Sequence, residues 1–287
     1  MVLKEAAAAC IASYTGKDTN FRVRLSFWVE RFGEKSITEI VPADIEAGID
    51  LLAVKKKIRY VTRKGYIETG EYITGATVNR YVAAMATMYK ILKQRRRVPA
   101  GFRPPTLGAS RMQEGEARTL SVSMQDIKRL IDCAKLSHNR ELAAFIALAA
   151  TTGLRKSNIT ALKWRDLGDG YVDVQVTKNG RPIRSVLLPW VEQELRAIRR
   201  KGDTDTSNLF KVKNPMKAYR MALADAQLPT DWTIHHLRHV AASVLAQNGA
   251  STIEIMSVLN HKTPNMAMRY SHLNTTAQVK VMEAAWG

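Results

Sequence analysis

The chain has 287 residues and a formal net charge of +18, from 44 lysines and arginines against 26 aspartates and glutamates. Its 46% hydrophobic and 24% charged residues exclude a disordered or fibrous chain and are typical of a globular protein. The positive excess predicts a polyanionic partner, because lysines and arginines on phosphates release counterions and give affinity that is independent of sequence. The N-terminal alanine run is too short and too weakly apolar for a signal peptide or a membrane span, so we expect no membrane association. The two cysteines have no metal-binding spacing, which fits a reducing cytoplasm.

The first hundred residues are predicted to form mainly helices. Apolar residues recur at helical spacing over 21–32 and 77–92, and residues 38–44 indicate a turn into a further short helix. Residues 55–67 combine basic, β-branched and aromatic side chains, which fits either a β-hairpin or an extended loop. Prolines and glycines after residue 97 indicate a linker. We therefore predict a helical domain over residues 1–105, a linker over 106–117 and a second domain over 118–287.

The second domain is predicted to combine helices with one small β-hairpin. Ser123 to Asp126 have an N-cap pattern, and the almost wholly apolar run 141–150 predicts a buried helix that ends at Gly153. Residues 171–176 and 183–188 alternate as strands do, and the Asn-Gly pair at 179–180 between them is a strong hairpin signal. The predicted fold class is therefore mainly α with a small sheet, and the second domain is α+β.

All segments after residue 189 are predicted to be helical. Residues 251–254 form a capping box, and Thr263 followed by Pro264 has the N-cap and first-turn residues of a helix. Tyr270 is predicted to lie on the helix that Thr263 opens.

Three histidines and an arginine stand together in the pentad His235-His236-Leu237-Arg238-His239. Buried charges need partners, so a core role explains this pentad poorly. On a helix, His235 and Arg238 project from one face. Arginine suits a phosphate because its planar fork donates to two oxygens at once and keeps its charge. The pentad, with Arg155 after a glycine-containing break between two apolar segments, therefore predicts a phosphate-binding site.

A metal site is the alternative reading of the same histidines. His235 and His239 have the i, i+4 spacing of a zinc-binding helix, and His261 or His272 could supply a third ligand. That helix normally carries glutamate directly after its first histidine, and here His236 takes the place. Strongly basic surroundings also suit a dication poorly. We predict no metal and no other cofactor.

The order of the polar residues resembles the tyrosine recombinase (lambda-integrase-like) family. Residues 152–157, Thr-Gly-Leu-Arg-Lys-Ser, resemble its first motif, the pentad its H-x-L-R-H motif, and residues 259–261 followed by a tyrosine its L-G-H…Y motif. Asn260 stands where the family often has glycine, and Asn158 where an acidic residue is common. The resemblance assigns six catalytic positions: Arg155, Lys178, His235, Arg238, His261 and Tyr270.

The resemblance implies a site-specific DNA recombinase, or integrase, of a phage or mobile element. In the family's mechanism Tyr270 attacks the scissile phosphate and forms a 3′-phosphotyrosyl bond. The arginines and His261 hold the non-bridging oxygens, His235 assists proton transfer, and Lys178 protonates the leaving 5′-oxygen. The first domain would be the family's helical core-binding domain, and the second its catalytic domain.

The implied partner is double-stranded DNA with a specific core site. A homo-tetramer on DNA would form through the C-terminal tail, which could equally fold back on its own domain, and accessory DNA-bending or directionality factors stay open. The expected location is the cytoplasm, with the nucleoid. The basic runs Lys55-Lys56-Lys57 and Arg95-Arg96-Arg97 are predicted to contact the DNA backbone on opposite sides of a clamp. Two alternatives are a type IB topoisomerase, which nicks and reseals one duplex, and a non-catalytic DNA-binding protein on the same fold.

Overall fold

The computed structural model describes residues 1–61, 65–115, 122–175 and 182–286. The chain divides into two compact units, Met1–Arg118 and Thr119–Gly287. The described residues are mostly helical and include two small antiparallel sheets of two strands each, one in each unit. This confirms the predicted fold class.

In its described residues the first unit is built on four helices and two paired strands. The core lies where the helices meet and includes Trp28, whose indole N–H donates to the carbonyl of Tyr81 at 3.0 Å. A Cβ atom on Gly48 would lie 2.3 Å from the Trp28 ring, so α3 (Pro42–Ala53) passes close to α2 (Phe21–Phe32) at this glycine. The elements are α1 (Leu3–Ala12), α2 (Phe21–Phe32), α3 (Pro42–Ala53), β1 (Lys56–Val61), β2 (Gly65–Tyr72) and α4 (Gly75–Gln94).

In the ambiguous segment 55–67, residues 56–61 and 65–67 belong to two paired strands, as in a β-hairpin. β1 and β2 are antiparallel, with Arg59 opposite Ile67 and Tyr60 opposite Tyr66. Most side chains described in the hairpin are exposed, so it adds little to the core of the unit. The connection at residues 62–64 lies outside the described residues.

The second unit surrounds helix α6 (Leu142–Thr152), of which nearly every residue is buried. The predicted hairpin is present as two paired strands with Val172 opposite Ser185, and its Asn-Gly turn lies outside the described residues. The elements are α5 (Met124–Lys135), α6 (Leu142–Thr152), α7 (Lys156–Ile159), β3 (Tyr171–Val174), β4 (Ile183–Val186), α8 (Pro189–Ala197), α9 (Met216–Asp225), α10 (Ile234–Gln247), α11 (Thr252–Leu259), α12 (Pro264–Met268) and α13 (Thr275–Trp286).

The prediction that everything after residue 189 is helical is wrong for residues 199–214, which are irregular. Buried Glu141 holds this segment. Its carboxylate accepts from the backbone N–H groups of Lys211 and Val212 at 2.9 and 3.1 Å, and from the Arg200 guanidinium at 2.7 Å. Gly202, with φ of 90°, also breaks the helical pattern.

Within the described ranges, no helix combines the length and apolar character that crossing a membrane requires.

Candidate active site

The histidine pentad occupies the beginning of helix α10. Leu237 and Arg238 face the interior, with 0% and 7% of their surface exposed, whereas His235 is exposed and His239 is half-buried. The rings of His235 and His239, one turn apart, meet edge to face with centroids 5.1 Å apart. Helix α10 thus places buried Arg238 beside half-buried His239 and exposed His235.

Buried Arg238 joins two other segments of the unit. Its Nη1 donates to the backbone carbonyl of Gly153 and its Nη2 to that of Leu259, both at 2.6 Å. These carbonyls stand at the C-terminal ends of α6 and α11, where helical partners are missing. Burial and the charge of Arg155 lower the pKa of Arg238 to about 10, so the guanidinium stays protonated at neutral pH. It therefore fixes the two turns that lead into Arg155 and His261.

Gly153 ends helix α6 in a conformation that favours glycine. Its φ of +62° lies in the left-handed region, and a Cβ atom there would be 2.0 Å from Cδ2 of Leu259. Two residues later, half-buried Arg155 occupies the N-cap of α7. Within the described part of the chain Arg155 makes no ion pair. A cation without a counter-charge in a basic region is suited to an anionic ligand.

Asn260 ends helix α11 in the left-handed conformation, with φ of 50° and ψ of 54°. Asparagine tolerates this conformation better than most residues, which explains how it can replace the glycine that the family often has. The backbone N–H of His261 donates to the carbonyl of Met256 at 3.0 Å and closes the helix end. Burial, then the charges of Arg238 and Arg155, lower the pKa of His261 to about 4.

The prediction that Tyr270 lies on the helix opened by Thr263 is wrong. Helix α12 ends at Met268, and Tyr270 lies two residues beyond it, immediately before a 3₁₀ turn over Ser271–Leu273. Its backbone N–H donates to the carbonyl of Ala267, three residues earlier, which is the hydrogen bond of a 3₁₀ turn rather than of an α-helix. The side chain is 8% exposed, and its Oη lies 2.5 Å from Nδ1 of His239.

Five of the six predicted catalytic residues lie on segments that meet in one region of the second unit. The charge of Arg155 acts on His235, Arg238 and His261, and that of Arg238 on Tyr270, which places these groups within electrostatic reach of one another. The sixth, Lys178, lies outside the described residues.

The sequence did not single out His239 as a partner of the tyrosine. The only signal was its place in the pentad, where the i, i+4 spacing from His235 pointed instead to a metal. Among residues 1–61, 65–115, 122–175 and 182–286, no group of three or more histidine, cysteine or acidic side chains is arranged to hold a metal ion.

The two basic runs lie at opposite ends of helix α4. The carbonyl of Lys55 accepts from Ile73 just before α4 begins, and Arg95 ends the helix. The 20 residues of α4 separate the two runs by roughly 30 Å, at about 1.5 Å per residue.

Within the first run the lysines have different surroundings. Nζ of Lys55 lies 5.6 and 5.8 Å from the ring centroids of Phe27 and Tyr81, Nζ of Lys57 pairs with Glu71 at 2.6 Å, and Lys56 is exposed. In the second run Arg95, Arg96 and Arg97 are all exposed. Lys56 and the three arginines are thus the members of the runs that solvent reaches most freely.

The family model and the known proteins that this chain resembles all indicate the same class of protein. Residues 121–277, more than half of the chain, match the model of the phage integrase family. The tyrosine recombinase XerC of Lactobacillus delbrueckii subsp. bulgaricus is 27% identical over 270 residues, which cover 86% of this chain and 83% of that protein. The integrase of Haemophilus phage HP1 is 26% identical over 201 residues, covering 69% of this chain and 56% of that protein.

The solved structures agree on the fold. The Tn1549 transposon integrase, in complex with transposon right end DNA, superposes with a TM-score of 0.69 over 99% of both chains at 15% identity. Fold, site and relatives together define a tyrosine-type site-specific DNA recombinase. The chain belongs to the phage integrase family.

Proposed function

We propose that this recombinase cuts and rejoins DNA strands through Tyr270. The reaction would integrate or excise the DNA of a phage or mobile element. The observation that carries the proposal is the junction at Arg238. One guanidinium holds the turn before Arg155 and the turn before His261, and the next residue of α10 holds the phenol of Tyr270. Three segments that are far apart in the chain are thereby joined into one site.

In the proposed reaction Oη of Tyr270 attacks the scissile phosphorus. A 3′-phosphotyrosyl bond forms and the bond to the 5′-oxygen breaks, so that the bond energy is kept in the phosphotyrosine. The 5′-hydroxyl of a partner strand then reverses the step. Since the protein supplies nucleophile, charge and proton transfer, the proposed reaction needs neither a metal nor a nucleotide.

The arginines are proposed to neutralise the charge that develops on the non-bridging oxygens. A guanidinium has five N–H donors, and Arg238 uses two of them on backbone carbonyls, so three are left for a phosphate. Arg155 makes no ion pair within the described residues and can turn its whole fork to the ligand. Arg238 is thus proposed both to hold the site together and to bind the phosphate, and Arg155 to bind the phosphate alone.

The histidines are proposed to contribute hydrogen bonds rather than charge. Partial desolvation of the ring, then the charges of Arg238 and Arg155, lower the pKa of His235, and burial lowers that of His261 to about 4, so both rings are neutral near pH 7. A neutral imidazole donates one N–H, which suits His261 for a non-bridging oxygen and His235 for proton transfer. Lys178 is proposed to protonate the leaving 5′-oxygen.

The proposed partner is double-stranded DNA with a specific core site, and the Tn1549 integrase bound to transposon DNA supports this choice. We propose a core-binding domain over residues 1–105, which lies within the first unit, a linker over 106–117 and a catalytic domain over 118–287. The proposed location is the cytoplasm, with the nucleoid.

Assembly as a tetramer on two duplexes is proposed to use the tail helix α13. Its Val279, Met282 and Trp286 are 54%, 59% and 84% exposed. An exposed apolar helix of this kind fits packing against a neighbouring protomer.

The test is covalent trapping on a nicked duplex that carries the core site, found by selection from random-sequence duplexes. After cleavage the short fragment diffuses away, so the protein stays attached. We expect a denaturation-resistant adduct with wild type in the presence of a chelator, and none with Tyr270→Phe, which should still bind DNA. Tyr219→Phe is the matched control, because Tyr219 is buried in α9 and its hydroxyl has no hydrogen-bond partner among the described residues. An adduct that persists in Tyr270→Phe would overturn the proposal.

A further inference from the structure

The phenol of Tyr270 is held by a neighbouring histidine. Oη lies 2.5 Å from Nδ1 of His239, and the two rings are tilted by 44° with centroids 6.1 Å apart. His239 follows Arg238, whose guanidinium is fastened to two backbone carbonyls. The position of Nδ1 is therefore set by the same junction that builds the rest of the site.

The surroundings of His239 make its ring neutral. Burial, then the charges of His235, His236 and Arg238 on its own helix and of Arg269 beside Tyr270, lower the pKa of His239 to about 4. The ring therefore carries one hydrogen at neutral pH and has one nitrogen free to accept.

Burial also raises the pKa of Tyr270, although Arg238 and Arg269 oppose this. The resting phenol thus keeps its proton, and its O–H donates to Nδ1. The hydrogen of the ring is then on Nε2.

We infer that His239 is the general base that takes the proton of Tyr270 during strand cleavage. This rests on the proposed role of Tyr270 as nucleophile and adds a residue beyond the six positions that the sequence motifs assign. His235, whose ring meets that of His239 edge to face, then assists this transfer without taking the proton itself. The Oη–phosphorus bond forms as the bond from phosphorus to the 5′-oxygen breaks, the phenolic proton passes to Nδ1, and the 5′-oxygen takes the proton proposed to come from Lys178. On rejoining, the 5′-hydroxyl attacks, and Nδ1 returns its proton to the departing phenolate.

The direction of the proton follows from the bond that forms. A phenol is a weaker acid than a protonated imidazole, so the proton stays on Oη in the resting protein. As Oη bonds to phosphorus it loses electron density and its hydrogen becomes strongly acidic, while the negative phosphate favours an imidazolium nearby. Transfer to Nδ1 is then downhill and needs no movement of the histidine, because the hydrogen bond already exists.

The experiment compares His239→Asn and His239→Ala with wild type in single-turnover adduct formation. The amide oxygen of asparagine can occupy the place of Nδ1 and accept the phenolic hydrogen bond, but it cannot take the proton. General-base catalysis contributes about 10²- to 10⁴-fold. We expect adduct formation to slow by a factor in that range in both variants, with DNA affinity unchanged.

A second substrate separates base from acid catalysis. A duplex with sulfur in place of the bridging 5′-oxygen has a leaving group that needs no proton. We expect His239→Asn to stay slow on this substrate, because its defect concerns the nucleophile. If sulfur restored the rate, His239 would serve the leaving group and the inference would be wrong.

Two further outcomes also overturn the inference. Faster cleavage by His239→Ala would mean that the hydrogen bond restrains Tyr270, and rates within about threefold of wild type would mean that His239 has no part in the step. Wild type is the reference for the proposed function: if it forms no adduct at Tyr270, that function fails. If it forms one and His239→Asn forms it equally fast, only the role of His239 fails.

Discussion

Gly153 and Leu259 are in direct contact, because a Cβ atom on the glycine would lie 2.0 Å from Cδ2 of the leucine. The contact brings the end of α6 against the end of α11, and Arg238 donates to the carbonyl of each of the two residues. The motif over residues 152–157 is thus in contact with the motif over residues 259–261, and the pentad supplies the arginine that is hydrogen-bonded to both.

Replacing this glycine should damage the protein in two ways. Gly153→Ala places a side chain in the left-handed region and against Leu259, and we expect the free energy of unfolding to fall by about 2–4 kcal/mol. Urea denaturation of wild type and variant measures it. Gly170→Ala is the control, because Gly170 has φ of +76° but no neighbouring atom within 4 Å of its Cβ position. Equal losses in the two variants would contradict the packing argument.

Arg238→Lys should keep a positive charge but lose the junction. A lysine ammonium cannot donate in parallel to the carbonyls of Gly153 and Leu259, so one buried carbonyl loses its partner at a cost of about 1–3 kcal/mol. We expect that loss in urea denaturation, and a fall in cleavage of at least about 10²-fold. Arg129→Lys is the control, since Arg129 also donates to a carbonyl, that of Ala226, but is largely exposed. An active, fully stable Arg238→Lys variant would rule out the junction.

Asn260 offers a test of backbone strain near the site. Asn260→Gly removes the side chain from a residue with φ of 50°, so we expect unchanged or slightly higher stability, by up to about 1 kcal/mol. Asn260→Ala should instead lose about 1 kcal/mol, because alanine tolerates the left-handed region less well. Thermal denaturation of both variants separates the outcomes, and the opposite order would show that the asparagine side chain itself matters.

The stability of the second unit should depend on pH through His261. Burial lowers its pKa to about 4 from an ordinary value near 6.5, so between these values the unfolded chain binds a proton that the folded chain does not. Its contribution to stability is therefore complete above about pH 6.5 and is lost as the pH falls toward 4. Urea midpoints measured across this window should fall less steeply for His261→Gln than for wild type. Equal slopes for wild type and His261→Gln would contradict the assignment.

The basic runs at the two ends of α4 should contribute independently to DNA binding. Each phosphate contact that is lost should flatten the slope of log K against log salt by about 0.9. We expect Lys56→Gln to have a larger effect than Lys57→Gln, because Lys57 already pairs with Glu71. Arg96→Gln tests the run at the C-terminal end of α4 in the same way. Salt titrations of binding to a non-specific duplex measure these slopes, and unchanged slopes in all three variants would mean that the runs are only solvated.

Local features were predictable from the sequence because they depend on residues close in the chain. Ser123 and Ser251 cap α5 and α11 as the motifs indicate, each accepting from a backbone N–H three residues on. The glycine stop of α6 followed likewise from the apolar run before it.

Features that depend on contacts across the chain were not predictable in this way. Tyr270 and His239 are 31 residues apart, and the spacing of apolar and polar residues in the sequence does not indicate a hydrogen bond between them. The same holds for Arg238, because a motif shows that an arginine is present but cannot show that two of its donors are bound to carbonyls. Tyr270 was also misplaced onto a helix, since α12 ends after five residues without a glycine to mark the stop.

The central claim is that Tyr270 is the residue that becomes joined to DNA. Its most direct test is mass spectrometry of the trapped adduct after protease and nuclease digestion, which identifies the peptide and the side chain that carry the 3′-phosphate. The account predicts a single modified residue, Tyr270. A phosphate on any other side chain, or cleaved DNA with no attached peptide, would contradict it.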